Sequence, residues 1–177
     1  RKVNRKPEAG KTIRFIAVGR LIAKKNFSLT IRALANLSSR DWTYTIVGEG
    51  EDLAQLKNLS QALGVSEQID FAGYQPDVVP FYQKADVFLL PSLWEGFGLV
   101  AAEAMGAGLP VLASNVAGFA EVVGAGGWMM DPNDEEAWSL QLQNVIEHPE
   151  SILEKCQRAR ERAEEFSIDR TAEGYRR

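Results

Sequence analysis

Six short apolar runs alternate with segments patterned for helix, and that alternation leaves few folds open. The runs are Arg14 to Val18, Trp42 to Val47, Ile69 to Ala72, Val87 to Pro91, Pro110 to Ser114 and Gly126 to Met130. Most of them exit through glycine, proline or serine. Helical patterning follows from about Ser28, over Asp52 to Leu63 with Gly64 as its stop, over Val78 to Lys84 and from about Leu99. A short turn of helix is expected within Val116 to Glu121. Asn133 with Glu136 makes a capping box for a helix from Asp134 to Ile146. A last helix is expected from Glu150 to Phe166, with sparse apolar positions and no evident docking surface. Strand, helix, strand in strict rotation predicts an α/β fold, a parallel sheet with helices on both faces. In such a sheet the loops after the strands gather on one edge, where ligands bind. The expected division is an extension or linker at 1–13, one domain at 14–148, and a helix and tail at 149–177.

With 177 residues, 45% of them hydrophobic, the chain can bury a sizeable core. The net charge of −4 argues against broad binding to a nucleic-acid backbone. A phosphate ligand would have to be met by a few local cations and backbone amides. Cys156 is the only cysteine, which excludes an internal disulfide and a cysteine-rich metal site. It lies in a charged helical segment and reads as structural. His148 stands without clustered partners and reads as neither ligand nor catalyst. Neither a signal peptide nor a transmembrane stretch is evident, so the expectation is a cytoplasmic protein.

The chemistry concentrates between Val87 and Pro110. An apolar strand stops at Pro91. A loop carrying Gly96 and Gly98 follows, and then a helix rich in alanine. The first amides of such a helix are unpaired and its end carries partial positive charge, which suits a phosphate. Glu103 lies in the second turn among Ala101, Ala102, Ala104 and Met105, so it is expected to be buried and to need a partner. The alternatives are a ligand as that partner, a basic side chain, or a carboxylate that faces solvent at a helix edge. Arg20 and Lys25 sit at the two ends of the loop after the first strand, at the same edge. Asn26, next in line, suits a left-handed position. Tyr74, after Gly73, is either a stacking surface for a flat ligand or a packing residue. Two familiar phosphate motifs fail. Gly48-Glu49-Gly50 would need its third glycine where Leu53 stands, and the chain has no P-loop.

In order and spacing these motifs resemble the C-terminal domain of the retaining glycosyltransferases of the GT-B fold, glycosyltransferase family 4, within the glycosyl transferases of group 1. The resemblance runs from about Phe15 to Glu147. Its central motif is a glutamate, seven residues and a second glutamate, here Glu95 and Glu103. Gly19-Arg20-Leu21 with Lys25 is similar to the family's Gly-Arg-Leu…Lys-Gly segment, with Asn26 in place of glycine. Val47-Gly-Glu-Gly, Phe71-Ala-Gly, Ala85-Asp-Val-Phe-Leu-Leu-Pro-Ser, Gly108-Leu-Pro-Val and Val116-Ala-Gly118-Phe-Ala-Glu121 also fall in family order.

The resemblance implies one Rossmann-like half of a GT-B fold that binds a nucleotide-sugar donor. Arg20 and Lys25 would neutralise the donor diphosphate. The amides of Phe97, Gly98 and Leu99, with Gly19 and Gly96 beside them, would approach phosphate or sugar oxygens. Glu103 would accept from the ribose hydroxyls, and Glu95 would meet the donor sugar. Backbone groups at Gly73 and Tyr74 would select the base. No metal or other cofactor is expected. Arg20, Lys25 and Glu95 are the expected catalytic residues. The implied partners are the donor, an N-terminal Rossmann-like domain of the same enzyme, and a lipid-linked or polysaccharide acceptor, with no nucleic acid. A peripheral place at the inner face of the membrane is a further option for such an enzyme. Two readings stay open: the donor-binding half of a transferase, inactive alone, and a non-catalytic nucleotide-binding scaffold of the same fold.

Overall fold

A computed structural model describes residues 10–96 and 98–174, with side chains as far as residue 165. The first nine residues of the expected 1–13 extension, and Phe97, lie outside the described residues. The strands are β1 (Ile13–Val18), β2 (Trp42–Val47), β3 (Ile69–Gly73), β4 (Val87–Leu90), β5 (Val111–Ser114) and β6 (Gly127–Met130). Between and after them run α1 (Phe27–Ala35), α2 (Leu53–Ala62), α3 (Val79–Tyr82), α4 (Leu99–Gly106), α5 (Phe119–Val123), α6 (Glu135–Glu147) and α7 (Glu150–Gly174).

All six strands pair in parallel, in the order β3-β2-β1-β4-β5-β6. The alternation of elements read from the sequence is thus the order of a doubly wound sheet. Its consequence is positional. β1 and β4 are neighbours, yet the chain leaves them toward opposite halves of the sheet. The loops after these two strands therefore diverge and leave a crevice at their carboxyl ends.

The side chains explain why both faces are covered. Successive strand residues point to opposite sides. Val87 and Leu89 of β4 join one core with Phe15, Tyr44, Ile31, Trp138 and Leu142, under α1 and α6. Phe88 and Leu90 join the other with Ile16, Val111, Ala104, Met105 and Phe119, under α4 and α5. A wholly apolar strand is what a two-faced core requires. At the amino edge, Asp86 is almost fully buried and is met by a fork from Arg14, with Nε–Oδ2 and Nη2–Oδ1 both 3.1 Å. The Arg14 amide also donates to Oδ2 at 2.9 Å, so β1 is pinned to the start of β4.

Three expectations need correction. The helix before Glu147 is capped by Asp134, whose Oδ1 accepts from the Ala137 amide at 2.9 Å, not by Asn133. Asn133 instead turns its own amides back to Asp131. α3 is shorter than Val78 to Lys84, with Pro80 at its start. The last helix runs to Gly174 rather than Phe166, and its first half does find a docking surface. Ile152 is buried in the first core and Ala159 in the second, so α7 joins the two cores beside the edge strand β6. Cys156 is packed against the first core, and burial pushes its thiol up to about 11.

Candidate functional site

The loop after β1 is built by backbone hydrogen bonds to the loop after β2. The Gly19 amide donates to Val47 at 2.9 Å, the Leu21 amide to Glu49 at 2.9 Å, and the Asp52 amide to Leu21 at 3.0 Å. Gly48 permits this contact. Its φ is 140°, and a Cβ there would lie 1.9 Å from the Gly19 carbonyl oxygen. The Gly-x-Gly pair thus serves close approach of two backbones, which accounts for glycines that match no dinucleotide fingerprint. After Gly19 and Arg20 a 3₁₀ turn, Ala23–Lys25, carries both lysines. It ends at Asn26, in the left-handed region at φ 55° and ψ 32°, as expected from the sequence. The Lys25 stem runs back beside Gly19.

The loop after β4 meets this turn in three ways. The Leu93 amide donates to the Lys24 carbonyl at 2.8 Å. The Lys24 ammonium lies 4.1 Å from the centre of the Trp94 ring. The Lys25 ammonium pairs with the Glu95 carboxylate, both of them mostly shielded from solvent. Two residues picked out separately in the sequence, 70 positions apart, are therefore in direct contact at the switch point. The loop then enters α4 through Gly98, at φ 55°, and no side chain caps the helix. Its leading amides are left for solvent or a ligand. Gly118, ahead of α5, rests against the Glu95 and Gly96 carbonyls from the other side.

A cleft of about 600 Å³ opens along this edge, bounded by Gly19, Arg20, Gly48, Glu49, Tyr74 and Val78. A second hollow of about 430 Å³ adjoins it through Gly19 and Arg20 and reaches Lys24, Lys25 and Val100 of α4. Arg20 thus borders both. It is exposed, and none of the ion pairs found among the described side chains involves it. Gly73 ends β3 at φ 68°, and Tyr74 is 69% exposed, so the packing reading of Tyr74 does not hold. The Tyr74 amide points to Glu49 Oε1 at 3.4 Å.

Glu103 faces solvent, the alternative to the expected burial. α4 buries Ala101, Ala104 and Met105, while Leu99, one turn from Glu103, is 55% exposed. Glu103 lies near enough to the buried Tyr82 for its charge, after burial itself, to help keep that phenol protonated. The structure thus brings Gly19, Arg20, Lys25, Glu95 and Gly96 together, with Gly98 and Leu99 at the adjoining helix end. Gly73 and Tyr74 stand across the cleft, and Glu103 stands on the open flank of α4. Sequence reasoning missed Lys24 and Trp94, each the neighbour of a residue it had named. It also missed the buried hydroxyls of Ser92 and Ser114, which follow β4 and end β5 and have no hydrogen-bond partner among the described residues.

The family model of the glycosyl transferases group 1 matches residues 1–166. The chain belongs to this family. An uncharacterized glycosyltransferase of Haemophilus influenzae is 32% identical over 166 residues, which cover 91% of this chain and 47% of the relative. A D-inositol 3-phosphate glycosyltransferase of Rhodococcus jostii is 36% identical over 170 residues, covering 89% of this chain and 38% of the relative. The chain therefore spans less than half the length of these relatives. Among solved structures, WaaG, a glycosyltransferase involved in lipopolysaccharide biosynthesis, superposes with a TM-score of 0.81 at 25% identity, over 88% of this chain and 43% of its own. Anabaena HepE in complex with UDP and glucose gives 0.84 at 22% identity, over 93% of this chain and 48% of its own, a likeness of fold. The group 1 chain thus has the parallel sheet and flanking helices found in GT-B glycosyltransferases. Among its described residues no helix is long and apolar enough to cross a membrane, and no three His, Cys, Asp or Glu side chains gather as metal ligands would.

Proposed function

We propose that this chain is the donor-binding part of a retaining glycosyltransferase of family 4, which moves a sugar from a nucleoside diphosphate sugar to an acceptor hydroxyl. The reading gives each group at the crevice one task. Arg20 and Lys25 hold the diphosphate, and the free amides at Gly98 and Leu99 meet its oxygens at the start of α4. As the bond from the anomeric carbon to the phosphate oxygen breaks, negative charge grows on the diphosphate, and these fixed charges and dipoles stabilise it. The acceptor oxygen bonds to the same carbon on the face that the phosphate leaves, and its proton passes to the departing phosphate oxygen. Glu95 orients the donor sugar, and Glu103 accepts from the ribose. The base lies toward Gly73 and Tyr74. No metal is required in this scheme, because two cations and a helix end meet the leaving charge.

The observation that supports this most is the Lys25–Glu95 contact across the β1–β4 switch point, with the exposed Arg20 beside it. A cation for phosphate and a carboxylate for sugar hydroxyls then lie one contact apart, as the two ends of a sugar–phosphate bond demand. D-inositol 3-phosphate and lipopolysaccharide in the relatives' names do not narrow the acceptor. The test is a thermal-shift panel of UDP, GDP and ADP, their glucose conjugates, and the free nucleosides. A ligand at about a hundred times its Kd adds about 2.7 kcal/mol to stability, a shift of several degrees. One diphosphate series is expected to raise Tm while its nucleoside does not. A panel without any shift would sink the reading.

A further inference from the structure

Asn26 occupies the start of α1, where asparagine ordinarily turns its side chain back to cap the helix amides. Here it makes no such bond. Its side-chain amide instead donates to the carbonyl of Pro132, 106 positions away, at 3.2 Å. The far end of that tie is firmly held. Trp138, fully buried, donates its indole N–H to the Asp131 carbonyl at 2.9 Å, and Asp131 also accepts from the Asn133 amide at 2.8 Å. The near end is the last point of the turn that carries Lys24 and Lys25, and the Asn26 amide closes that turn on Ala23 at 3.1 Å. Asn26 is also the only described residue other than glycine with a positive φ. A glycine would meet that backbone requirement more cheaply, so the backbone alone does not explain an asparagine.

We infer that Asn26 is a positioning residue for Lys25. Its tie to the β6–α6 connection fixes where the 3₁₀ turn ends, and so holds the Lys25 ammonium at the crevice. The inference rests on the proposed role of Lys25 in diphosphate binding. The two are separable, because Lys25 can be removed by itself.

The test is a double-mutant cycle on Asn26→Gly and Lys25→Ala, read by calorimetry with UDP, GDP and ADP and with uridine, guanosine and adenosine. Glycine keeps the left-handed backbone and removes only the tie, so the variant is expected to fold, and circular dichroism verifies this. Asn26→Gly is expected to weaken the bound diphosphate about fivefold, the scale of one lost hydrogen bond, with the nucleoside unchanged. In the Lys25→Ala background the same substitution is expected to change nothing further. A purely structural role would alter melting temperature in both backgrounds without this dependence on Lys25. If Asn26→Gly leaves diphosphate affinity alone, or weakens it equally with and without Lys25, the inference is overturned. If Lys25→Ala itself has no effect on any diphosphate, the reading of Lys25 falls and the inference with it.

Discussion

Glu103 sits on the open face of α4, one turn from the exposed Leu99, and no basic side chain pairs with it among the described residues. Its surroundings in the sequence were all apolar, which read as burial. Alanine misled that reading, since it fits a buried or an open helix face equally well: Ala101, Ala104 and Met105 are buried, while Ala102 is only half-buried. Glu103→Gln removes no internal ion pair, so melting should shift by no more than about 0.5 kcal/mol. If Glu103 accepts from ribose, nucleoside diphosphate affinity should fall by about 1–3 kcal/mol. Calorimetry and a melting curve on the same variant decide it, and unchanged affinity would remove Glu103 from the site. Arg20→Ala and Lys25→Ala should each cost roughly 1.5–3 kcal/mol with a nucleoside diphosphate and little with the nucleoside. Equal losses for both ligands would place these cations away from the phosphates. The types of these residues were legible one by one, but the Lys25–Glu95 pair was not. Their contact depends on β1 and β4 being sheet neighbours, and strand order is not written in local pattern.

Elements were legible where apolar runs had hard stops, and boundaries blurred where a cap decided them. β2 fell on Trp42–Val47 as expected, because Trp42, Tyr44 and Ile46 alternate with threonine, Val47 ends the strand and glycine follows. The start of α6 moved because two acceptors, Asn133 and Asp134, stand side by side and only geometry chooses between them. Among the described residues the short 3₁₀ turns Ala23–Lys25, Ser66–Gln68 and Gly124–Gly126 had no periodicity to announce them. The contact between the loops after β1 and β2 is the element-level feature with the clearest consequence. Gly48→Ala would place a methyl 1.9 Å from the Gly19 carbonyl oxygen at a φ of 140°, and neither is the end of a flexible side chain. The expected loss is about 3 kcal/mol or more, with both loops displaced and diphosphate binding lost. Gly96→Ala meets nothing within 4 Å and should stay within about 1 kcal/mol of the parent. Urea melts of the two variants check the contrast, and similar losses in both would refute it.

At the scale of the whole molecule, the crevice proposed to take a donor lies at the rim of one sheet, and this chain covers only 47% and 38% of two family relatives. The 177-residue chain alone is therefore expected to bind a nucleoside diphosphate without transferring sugar, and steady turnover with any nucleotide sugar would contradict that. What holds this unit together is a separate question, and α7 answers part of it. The helix contributes Ile152 to one core and Ala159 to the other, so it is structural despite its charge. It lies close because Gly126 allows it. A Cβ there would stand 2.8 Å from the Ala159 Cα and 3.1 Å from its amide nitrogen, both backbone, and 2.7 Å from the Met105 methyl. Met105 can swing aside, whereas Ala159 can move only if the helix moves with it. Gly126→Ala should therefore lift α7 and lower stability by about 1–3 kcal/mol, the usual cost of overpacking. Cys156 reports the movement. Burial holds its thiol up to about 11, so at pH 8 the docked helix presents almost no thiolate. An undocked helix returns the thiol toward its ordinary value and its ordinary reactivity. Iodoacetamide labelling at pH 8 should be slow in the parent and several-fold faster in Gly126→Ala. The same shift makes docking pH-dependent. A thiol whose pKa is higher when docked favours docking fully below its unfolded value, and loses that contribution as pH rises toward 11. Equal labelling rates in parent and variant would mean that α7 does not rest on Gly126.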